Sequence, residues 1–271
     1  MGVKGLFQFL KRFEKEVSIQ SYLSQKRVGV DVFWFLYQSR GDMFKLQSHL
    51  SQVLKTSKEV YCVFDGRPSR EKIEILREQA KKRNELGQTI YEIERFLSYP
   101  FHRISTQDKS RLKEYLTQLR RQCWTPSPDF ILYVKQWLST KQNVIVWQAE
   151  EEADDVLIQL EQDGNIDVII TNDSDLLTLG AKNVLRMKSP TVGKLFEREY
   201  LQKKLGFTEK QWQDFMLLCR HMAIKDIILA YSLISVYKDL EYGLQKHYIH
   251  NKTEILQNDL NICSIEPDLD Y

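Results

Sequence analysis

Carboxylates cluster around one apolar segment of this chain, between Gln148 and Leu177. Acids precede the segment at residues 150–155, and Asp173 and Asp175 follow it. Like charges held this close raise one another's pKa values unless a cation neutralises them. Hard divalent cations such as Mg²⁺ prefer oxygen ligands, and a pair of them can activate water and stabilise the leaving oxygen of a phosphodiester. The pattern therefore predicts metal-dependent hydrolysis of a phosphodiester.

Charge is strongly segregated along the chain, although the formal net charge is only +2. Residues 66–141 carry 16 Lys and Arg against 9 Asp and Glu, whereas residues 142–181 carry 10 acids and no Lys or Arg. A basic surface beside an acidic pocket suits a polyanion that is processed with the help of cations. Accidental clustering of solvated faces is the alternative, and it explains the basic stretch more easily than the two together.

The elements that must position these acids alternate between strands and helices. Apolar runs predict strands at residues 28–34, 60–64, 143–147 and 166–171, and helical periodicity predicts helices at 43–56, 129–139 and 153–162. This order predicts an α/β fold with a mostly parallel central sheet flanked by helices. Ligands bind such sheets at the carboxyl ends of the strands, which is where Asp31, Asp65, residues 150–155, Asp173 and Asp175 fall.

A long charged stretch interrupts the alternation and predicts an inserted helical segment. We expect an N-terminal part of the core at residues 1–70, the helical insertion at 71–125, the remaining core with C-terminal helices at 126–250, and a polar tail at 251–271. The 271 residues are 42% hydrophobic and 28% charged, as in soluble globular proteins, and no apolar run is long enough to span a membrane. The 4 cysteines are widely spaced without a CxxC pair, which argues against a zinc site or a disulfide framework and favours an intracellular protein.

Several motifs, taken in order, resemble those of the flap endonuclease/XPG family of structure-specific 5′ nucleases. They are "MGVKGL", "VGVDVFWFLYQSR", "VYCVFDGRPSREK", "EEADDVL" and "TNDSDLLTLGA", and they span residues 1 to about 220. The "EADD" form is closer to bacterial and phage 5′-exonucleases, whereas the N-terminal "MGVKGL" and the "FDGRP" motif are closer to eukaryotic and archaeal members. The resemblance implies a PIN-like nuclease core with a helical arch.

The resemblance also implies the metal ligands of two Mg²⁺ ions, for which Mn²⁺ can substitute. Glu152 and Asp154 match the family's two acids separated by one residue, with Glu150 and Glu152 as the alternative pair. Asp155 would lie outside the ligands themselves, and Glu150 and Glu151 are expected to be bystanders. The matching ligands are Asp31, Asp65, Glu152, Asp154, Asp173 and Asp175.

Further residues of this chain match basic and aromatic positions of the family. Lys72 matches a catalytic lysine below the arch, while the accompanying arginine position falls near Gln79, so Arg77 or Arg83 is the substitute. A cation there would stabilise charge that develops on the phosphate. The nucleic-acid contacts implied by position or expected from the basic insertion are Gly2, Tyr37, Arg40, Arg70, Arg77, Lys81, Lys82, Arg83, Arg120 and Arg121.

The sequence departs from the family after Cys219. The family's Gly-x-Asp-Tyr segment is replaced by "RHMAIKDIILAY", so that Lys225 occupies the position of a metal aspartate and Asp226 follows one residue late. The glycines of the helix–two-turn–helix that grips duplex through K⁺ are absent, and no clear motif for binding a sliding clamp is present. We therefore expect a reduced or divergent member with an altered duplex anchor.

These observations predict a Mg²⁺-dependent nuclease acting on DNA with a 5′ flap, nick or branch, in replication, repair or recombination. An RNA-directed nuclease of mRNA decay or viral host shutoff, on the same scaffold, is the nearest alternative. A catalytically dead nucleic-acid-binding protein is the second, and the six acids argue against it. The family implies a nuclear location, and a viral enzyme would suit the cytoplasm. No association with a membrane is expected.

Overall fold

The computed structural model describes Val3 and residues 5–99, 105–220 and 227–238. Its strands alternate with helices for most of the chain, as the apolar runs predict. The strands are β1 (Lys15–Ser18), β2 (Arg27–Asp31), β3 (Glu59–Phe64), β4 (Val144–Gln148), β5 (Val168–Ile170), β6 (Asn183–Met187) and β7 (Val192–Glu197).

The helices of the first half include two long ones that follow β3. They are α1 (Leu6–Leu10), a 3₁₀ turn (Lys11–Phe13), α2 (Ile19–Leu23), α3 (Val32–Ser39), α4 (Met43–Thr56), α5 (Arg70–Ser98) and α6 (Thr106–Cys123). The later helices are α7 (Pro128–Ser139), α8 (Ala153–Gln162), α9 (Asp175–Thr178), α10 (Arg198–Leu205), α11 (Glu209–Arg220) and α12 (Ile227–Tyr237).

The strands form one seven-stranded sheet in the order β1-β7-β6-β5-β2-β3-β4. Its central pairs, β6–β5, β5–β2, β2–β3 and β3–β4, are all parallel. The α/β class with a mostly parallel sheet flanked by helices is therefore confirmed. Strands that end together in a parallel sheet bring their carboxyl ends to one edge, and Asp31 and Asp65 lie at the ends of the adjacent strands β2 and β3.

The two faces of β2 have different roles. Val28 and Val30 are fully buried in an apolar core with side chains from α3, α4 and α7. Gly29 faces α8: a Cβ there would lie 2.7 Å from Leu157 Cδ2 and 2.5 Å from Ile166 Cδ1. Because side chains alternate along a strand, Asp31 lies on the same face as Gly29. The absence of a side chain at Gly29 thus lets α8 pack close to the strand that carries Asp31.

The chain forms two compact units. Unit 1 comprises the described residues within 1–15, 173–182 and 196–271, and unit 2 comprises those within 16–172 and 183–195. Unit 1 has an aromatic core, in which the rings of Phe207 and Phe215 lie 5.6 Å apart and Trp212 is almost fully buried. Unit 2 contains the core behind β2 and most of the sheet.

The first predicted strand is too long at its carboxyl end. We expected residues 28–34 to be extended, but β2 ends at Asp31 and α3 begins at Val32. The Asp31 carboxylate accepts a hydrogen bond from the Trp34 amide at 3.5 Å, so it caps the helix. The apolar run was misleading because a buried helix start and a buried strand have the same composition. Asp31 is therefore the last strand residue as well as a helix cap.

The basic stretch forms the two long helices α5 and α6, which pack against each other. Leu116 and Leu119 of α6 are buried, and the Cys123 thiol lies 3.7 Å from the carbonyl oxygen of Arg83 on α5. Arg120 bonds Glu94 at 2.6 Å. The predicted break around Pro100 falls between the two helices, and residues 100–104 are outside the described part. Among the described helices, none is both long and apolar enough to cross a bilayer.

An ion pair joins the starts of β2 and the β5 strand. The Asp167 carboxylate accepts from the Arg27 amide at 2.8 Å and from its guanidinium at 2.9 Å. Burial alone would raise the pKa of Asp167, but the hydrogen bonds and charge of Arg27 outweigh it and lower that pKa. A lowered pKa in the folded state stabilises the fold above the ordinary aspartate pKa, and this contribution is lost as the pH falls through the lowered value.

Asp167→Asn is therefore expected to lower the free energy of unfolding by about 1 kcal/mol at pH 7, since both partners are about one-third exposed. The difference from wild type should shrink at about pH 3, below the ordinary pKa of aspartate. Urea unfolding of both proteins at the two pH values measures this difference in the free energy of unfolding. The exposed Asp163, replaced by Asn, is the matched control and should show no such pH-dependent loss. An equal loss of stability at both pH values would show that the ionised Asp167 carboxylate does not stabilise the fold through Arg27.

Candidate active site

The carboxyl edge of unit 2 gathers acids from β2, β3 and the start of α8. Asp31 pairs in register with Val63, and Asp65 follows Val63 by two residues. Val63 is absent from the core cluster that holds Cys62 and Phe64, so it and Asp65 belong to the face of the sheet that α8 covers. Asp31 and Asp65 therefore lie on one face, at one edge, on adjacent strands.

Asp31 is held by groups on two sides. The hydroxyl of Thr171 donates to its Oδ2 at 3.0 Å, and the Trp34 amide approaches its Oδ1. Thr171 is fully buried directly after β5. The carboxylate is thus oriented by the neighbouring strand and by the helix that it caps.

Asp65 fixes the start of α8. Its Oδ1 accepts from the amide of Ala153, the first residue of α8, at 2.9 Å. Burial raises the pKa of Asp65 above the ordinary value, although the Ala153 amide and the charge of Lys72 oppose the shift. A carboxylate in this position is therefore one that an additional cation would stabilise.

Glu152 and Lys72 form an ion pair at the same edge. Lys72 lies in the first turn of α5, and Glu152 precedes α8 as its N-cap residue. Burial lowers the pKa of Lys72, but the hydrogen bond and charge of Glu152 outweigh burial and raise it. The lysine is consequently a fixed positive charge beside the acids.

The loops after β3 and β4 are clamped together around Gly66. The Gly66 amide donates to the Glu151 carbonyl at 2.5 Å, and the Arg67 amide donates to the Glu150 carbonyl at 2.8 Å. A Cβ on Gly66 would lie 2.2 Å from the Ala149 carbonyl oxygen. Beside this clamp is an open cavity of about 590 Å³, lined by Asp65, Gly66, Arg67, Gln148, Ala149 and Glu150.

The remaining acids before and within α8 differ in exposure. Asp154 is half-buried in the first turn of the helix, whereas Asp155 is exposed. Glu150 and Glu151 are also exposed, and their backbone carbonyls make the clamp. The choice of Glu152 and Asp154, rather than Glu150 and Glu152, as the pair of ligands stays a prediction.

Asp173 and Asp175 belong to unit 1. The Asp173 carboxylate accepts from the Asp175 amide at 3.0 Å, and the Ser174 hydroxyl donates to the Val3 carbonyl at 3.1 Å. Burial, followed by the charge of Asp173, raises the pKa of Asp175. This acidic turn is therefore ordered within its own unit. Its role as a second half of the metal site stays a prediction, and Lys225 and Asp226 lie outside the described residues.

The donors at the unit 2 edge fit a hard divalent cation in their chemistry, since they are carboxylate oxygens. Burial of Asp65 is the structural observation that supports this fit. In the described part of the chain, no group of three or more His, Cys, Asp or Glu side chains is already arranged to hold a metal ion. Glu152 instead pairs with Lys72. Coordination would therefore require Glu152 to change its partner or its rotamer.

The predicted nucleic-acid contacts lie mostly on exposed helix surfaces. Tyr37 is 46% exposed near the end of α3, where its ring lies 5.9 Å from that of Trp124, and Arg40 caps the helix. Arg77 and Arg120 are exposed but ion-paired with Glu74 and Glu94. Gly2 lies outside the described residues. Arg83 is half-buried, and the remaining predicted contacts on the two long helices, all exposed, are Arg70, Lys81, Lys82 and Arg121.

Two residues of this site were missed from the sequence. Thr171 carries no charge and ends a predicted strand, so the sequence gives no sign of its bond to Asp31, which depends on the pairing of β2 with β5. Gly66 was part of a quoted motif, but its close approach to the loop after β4 depends on a distant segment. The glycine itself was the available signal, because an Asp-Gly after a strand indicates a tight turn.

Comparison with known proteins identifies related chains. A family model for the XPG I-region matches residues 143–221. Exonuclease 1 of Danio rerio is 28% identical over 80% of this chain, which spans only 27% of that protein's length. Flap endonuclease 1 of Entamoeba histolytica is 27% identical over 95% of this chain and 73% of its own length.

A solved structure shares the fold over nearly the whole chain. The catalytic core of Rad2 in complex with a DNA substrate matches with a TM-score of 0.61 at 18% identity, covering 96% of this chain and 80% of that one. The matching I-region and the two relatives show that this chain is similar to proteins of the XPG/flap endonuclease family, and the structural match shows that it shares the fold of the Rad2 catalytic core. The resemblance inferred from the motifs is thereby confirmed.

Proposed function

We propose that this protein is a Mg²⁺-dependent nuclease that hydrolyses phosphodiester bonds in DNA bearing a 5′ flap, nick or branch. The observation that carries the proposal is the edge of unit 2, where Asp31 and Asp65 lie on one face beside the Lys72–Glu152 pair. The names of the relatives, Exonuclease 1 and Flap endonuclease 1, point to the same reaction. The family resemblance favours a nuclear enzyme of DNA replication, repair or recombination.

The residues that would hold divalent ions are the acids of this edge, with Asp173 and Asp175 of unit 1 as the remaining ligands. Asp173 is two residues beyond Thr171 in the chain, so the acidic turn directly follows the strand that orients Asp31. Bound Mg²⁺ or Mn²⁺ would lower the pKa of water and offset the charge on the transferring phosphate. The proposed ligands are Asp31, Asp65, Glu152, Asp154, Asp173 and Asp175.

Neighbouring groups of the chain would orient the metal-binding carboxylates and offset the charge on the phosphate. The Thr171 hydroxyl and the Trp34 amide fix the direction of the Asp31 carboxylate. The Ala153 amide does the same for Asp65, and it lies at a helix N-terminus, where negative charge is favoured. Lys72 supplies a positive charge that would stabilise charge developing on the phosphate when it is not neutralised by Glu152.

The two long helices α5 and α6 would bind the single-stranded part of the substrate. Their exposed cations suit phosphate contacts that carry no sequence information. Tyr91 and Tyr115, which are 65% and 47% exposed, offer ring surfaces on which bases can stack. Binding through these helices should therefore depend strongly on salt and weakly on sequence.

The proposal is tested by incubating the purified protein with end-labelled 5′-flap DNA, blunt duplex and capped RNA, in Mg²⁺ or in EDTA. We expect cleavage of the flap substrate near its junction in Mg²⁺, none in EDTA, and much slower cleavage of blunt duplex. Cleavage of RNA alone would favour the RNA-directed alternative. Binding of flap DNA without any cleavage would contradict the proposed nuclease activity and favour a nucleic-acid-binding protein without catalysis.

A further inference from the structure

The strand β4 lies at one end of the sheet and has an open side. Within the described part of the chain, its only strand neighbour is β3, to which it is parallel. The Asn143 carbonyl, directly before β4, accepts from the Val60 amide of β3 at 2.8 Å. Because backbone groups alternate in direction along a strand, the next residue and every second one after it turn their amides and carbonyls away from β3. These residues of the open side are Val144, Val146 and Gln148.

The open side of β4 lacks the features that usually keep edge strands apart. The strand sequence, VIVWQ, contains no charged residue and no proline. Val146 packs against the core, so Ile145 and Trp147 lie on the opposite face, with α8. Trp147 is 43% exposed beside a hollow of about 300 Å³ between this strand and α8. An uncharged edge with an exposed aromatic side chain is one that a further strand can join.

The β4 strand is complementary to itself when two copies run antiparallel. If Val146 lies opposite the same residue of a second copy, all five residues of the strand are paired. Val146 would then exchange two backbone hydrogen bonds with its counterpart, and Ile145 would face the partner's Trp147 in the closer, non-hydrogen-bonded type of pair. A β-branched side chain opposite an aromatic one is a favourable cross-strand pair, and the two-fold symmetry makes it twice.

The charges around β4 favour the antiparallel arrangement. Lys141 precedes the strand, and the exposed Glu150 and Glu151 follow it. Antiparallel pairing would place the basic end of each strand beside the acidic end of the other, whereas parallel pairing would bring like charges together. Lys135 bonds the Gln148 side chain of its own strand, so the two copies of this lysine would lie at opposite ends of the interface.

We propose that two copies of this chain associate through β4, antiparallel about Val146, so that their sheets become one continuous sheet. The interface is small, so the association should be weak and should depend on protein concentration. Antiparallel pairing also turns the acidic edges of the two copies in opposite directions. If these edges are nuclease sites, as proposed above, each copy acts on its own substrate. The interface itself does not depend on that function.

The association is tested by sedimentation velocity of the purified protein over a range of concentrations. The wild-type mass should rise from that of one chain towards twice that value. Trp147→Lys places a charge in both Ile145–Trp147 pairs and should weaken the association at least about tenfold. Phe44→Lys is the matched control, because Phe44 is 81% exposed at the start of α4, and it should associate as wild type does. Circular dichroism checks that both variants fold.

Two variants that each add one cysteine test the register without adding a charge. Ile145→Cys and Trp147→Cys proteins are oxidised separately and as an equal mixture, with wild type giving the background of its native cysteines. Cα atoms of a non-hydrogen-bonded pair are about 4.5 Å apart, within the range of a disulfide. The mixture should therefore form cross-linked dimers several-fold faster than either protein alone.

Three results would overturn the proposal. A wild-type protein that stays monomeric up to about 1 mM would show that the edge does not pair with a second copy, and would leave it to a strand of another protein. Association that a folded Trp147→Lys protein retains in full would place the interface elsewhere. Equal cross-linking in the mixture and in the separate proteins would exclude the register about Val146. If Trp147→Lys does not fold, the cross-linking result decides.

Discussion

Asp31→Asn is expected to lower kcat for flap cleavage about a thousandfold while leaving the fold unchanged. The asparagine side chain is nearly isosteric: its Oδ1 can accept from the Trp34 amide and so cap the helix, while its Nδ2 can donate to the Thr171 hydroxyl oxygen. It removes only the negative charge at the carboxyl end of β2. Single-turnover cleavage rates, together with urea unfolding of the same samples, measure both effects.

Asp42→Asn is the matched control for this substitution. Asp42 caps α4 through a 3.0 Å hydrogen bond from the Lys45 amide, but it is exposed and is not one of the acids at the carboxyl edge of the sheet. Both variants should unfold within about 0.5 kcal/mol of wild type, and only Asp31→Asn should lose activity. If Asp31→Asn cleaves at the wild-type rate, the Asp31 carboxylate is not part of the active site. Equal loss in both variants would indicate a general charge effect.

Gly66→Ala is expected to damage stability and activity together. The added Cβ would meet the carbonyl oxygens of Ala149 and Glu150 at 2.2 and 2.3 Å, and these are backbone atoms that cannot rotate away. The loops that carry Asp65 and Glu152 would have to separate. We expect a loss of about 2–3 kcal/mol in the free energy of unfolding and a decrease in kcat of at least about a hundredfold.

Gly87→Ala is the control for the effect of a methyl group. Gly87 lies within α5, and nothing would lie within 4 Å of its Cβ, so alanine should stabilise that helix by about 0.5–1 kcal/mol. Gly66→Ala should lower both the midpoint of thermal unfolding and the cleavage rate, whereas Gly87→Ala should raise the midpoint and leave the cleavage rate unchanged. A Gly66→Ala protein as stable and active as wild type would show that the clamp does not position the site.

The sequence predicted the sheet and helices well where periodicity was long and uninterrupted. The helices at 43–56 and 153–162 have the predicted bounds, and β3 differs from its prediction by one residue. The end of β2 was misjudged because the apolar run continues without change into α3. The strand at 166–171 is shorter than predicted, since β5 contains only Val168–Ile170. Local composition fixes the type of an element more firmly than its end.

The residue types of the site could be predicted from the sequence, but the contacts between them could not. The acids after strands could be read from the sequence because parallel strands deliver their carboxyl ends to one edge. The contacts of Thr171 with Asp31, of Lys72 with Glu152 and of Gly66 with the loop after β4 join residues at least 80 positions apart. Such contacts depend on strand order and register, which no local pattern contains.

We propose that the acids at the edge of unit 2 bind divalent ions during cleavage of DNA. Anomalous diffraction from crystals grown with Mn²⁺ and an uncleaved flap substrate would test it most directly. We expect Mn²⁺ peaks within direct coordination distance of Asp31, Asp65 and at least one acid at the start of α8, and loss of these peaks in Asp31→Asn crystals. Substrate seated on the protein with no Mn²⁺ at this edge would contradict it.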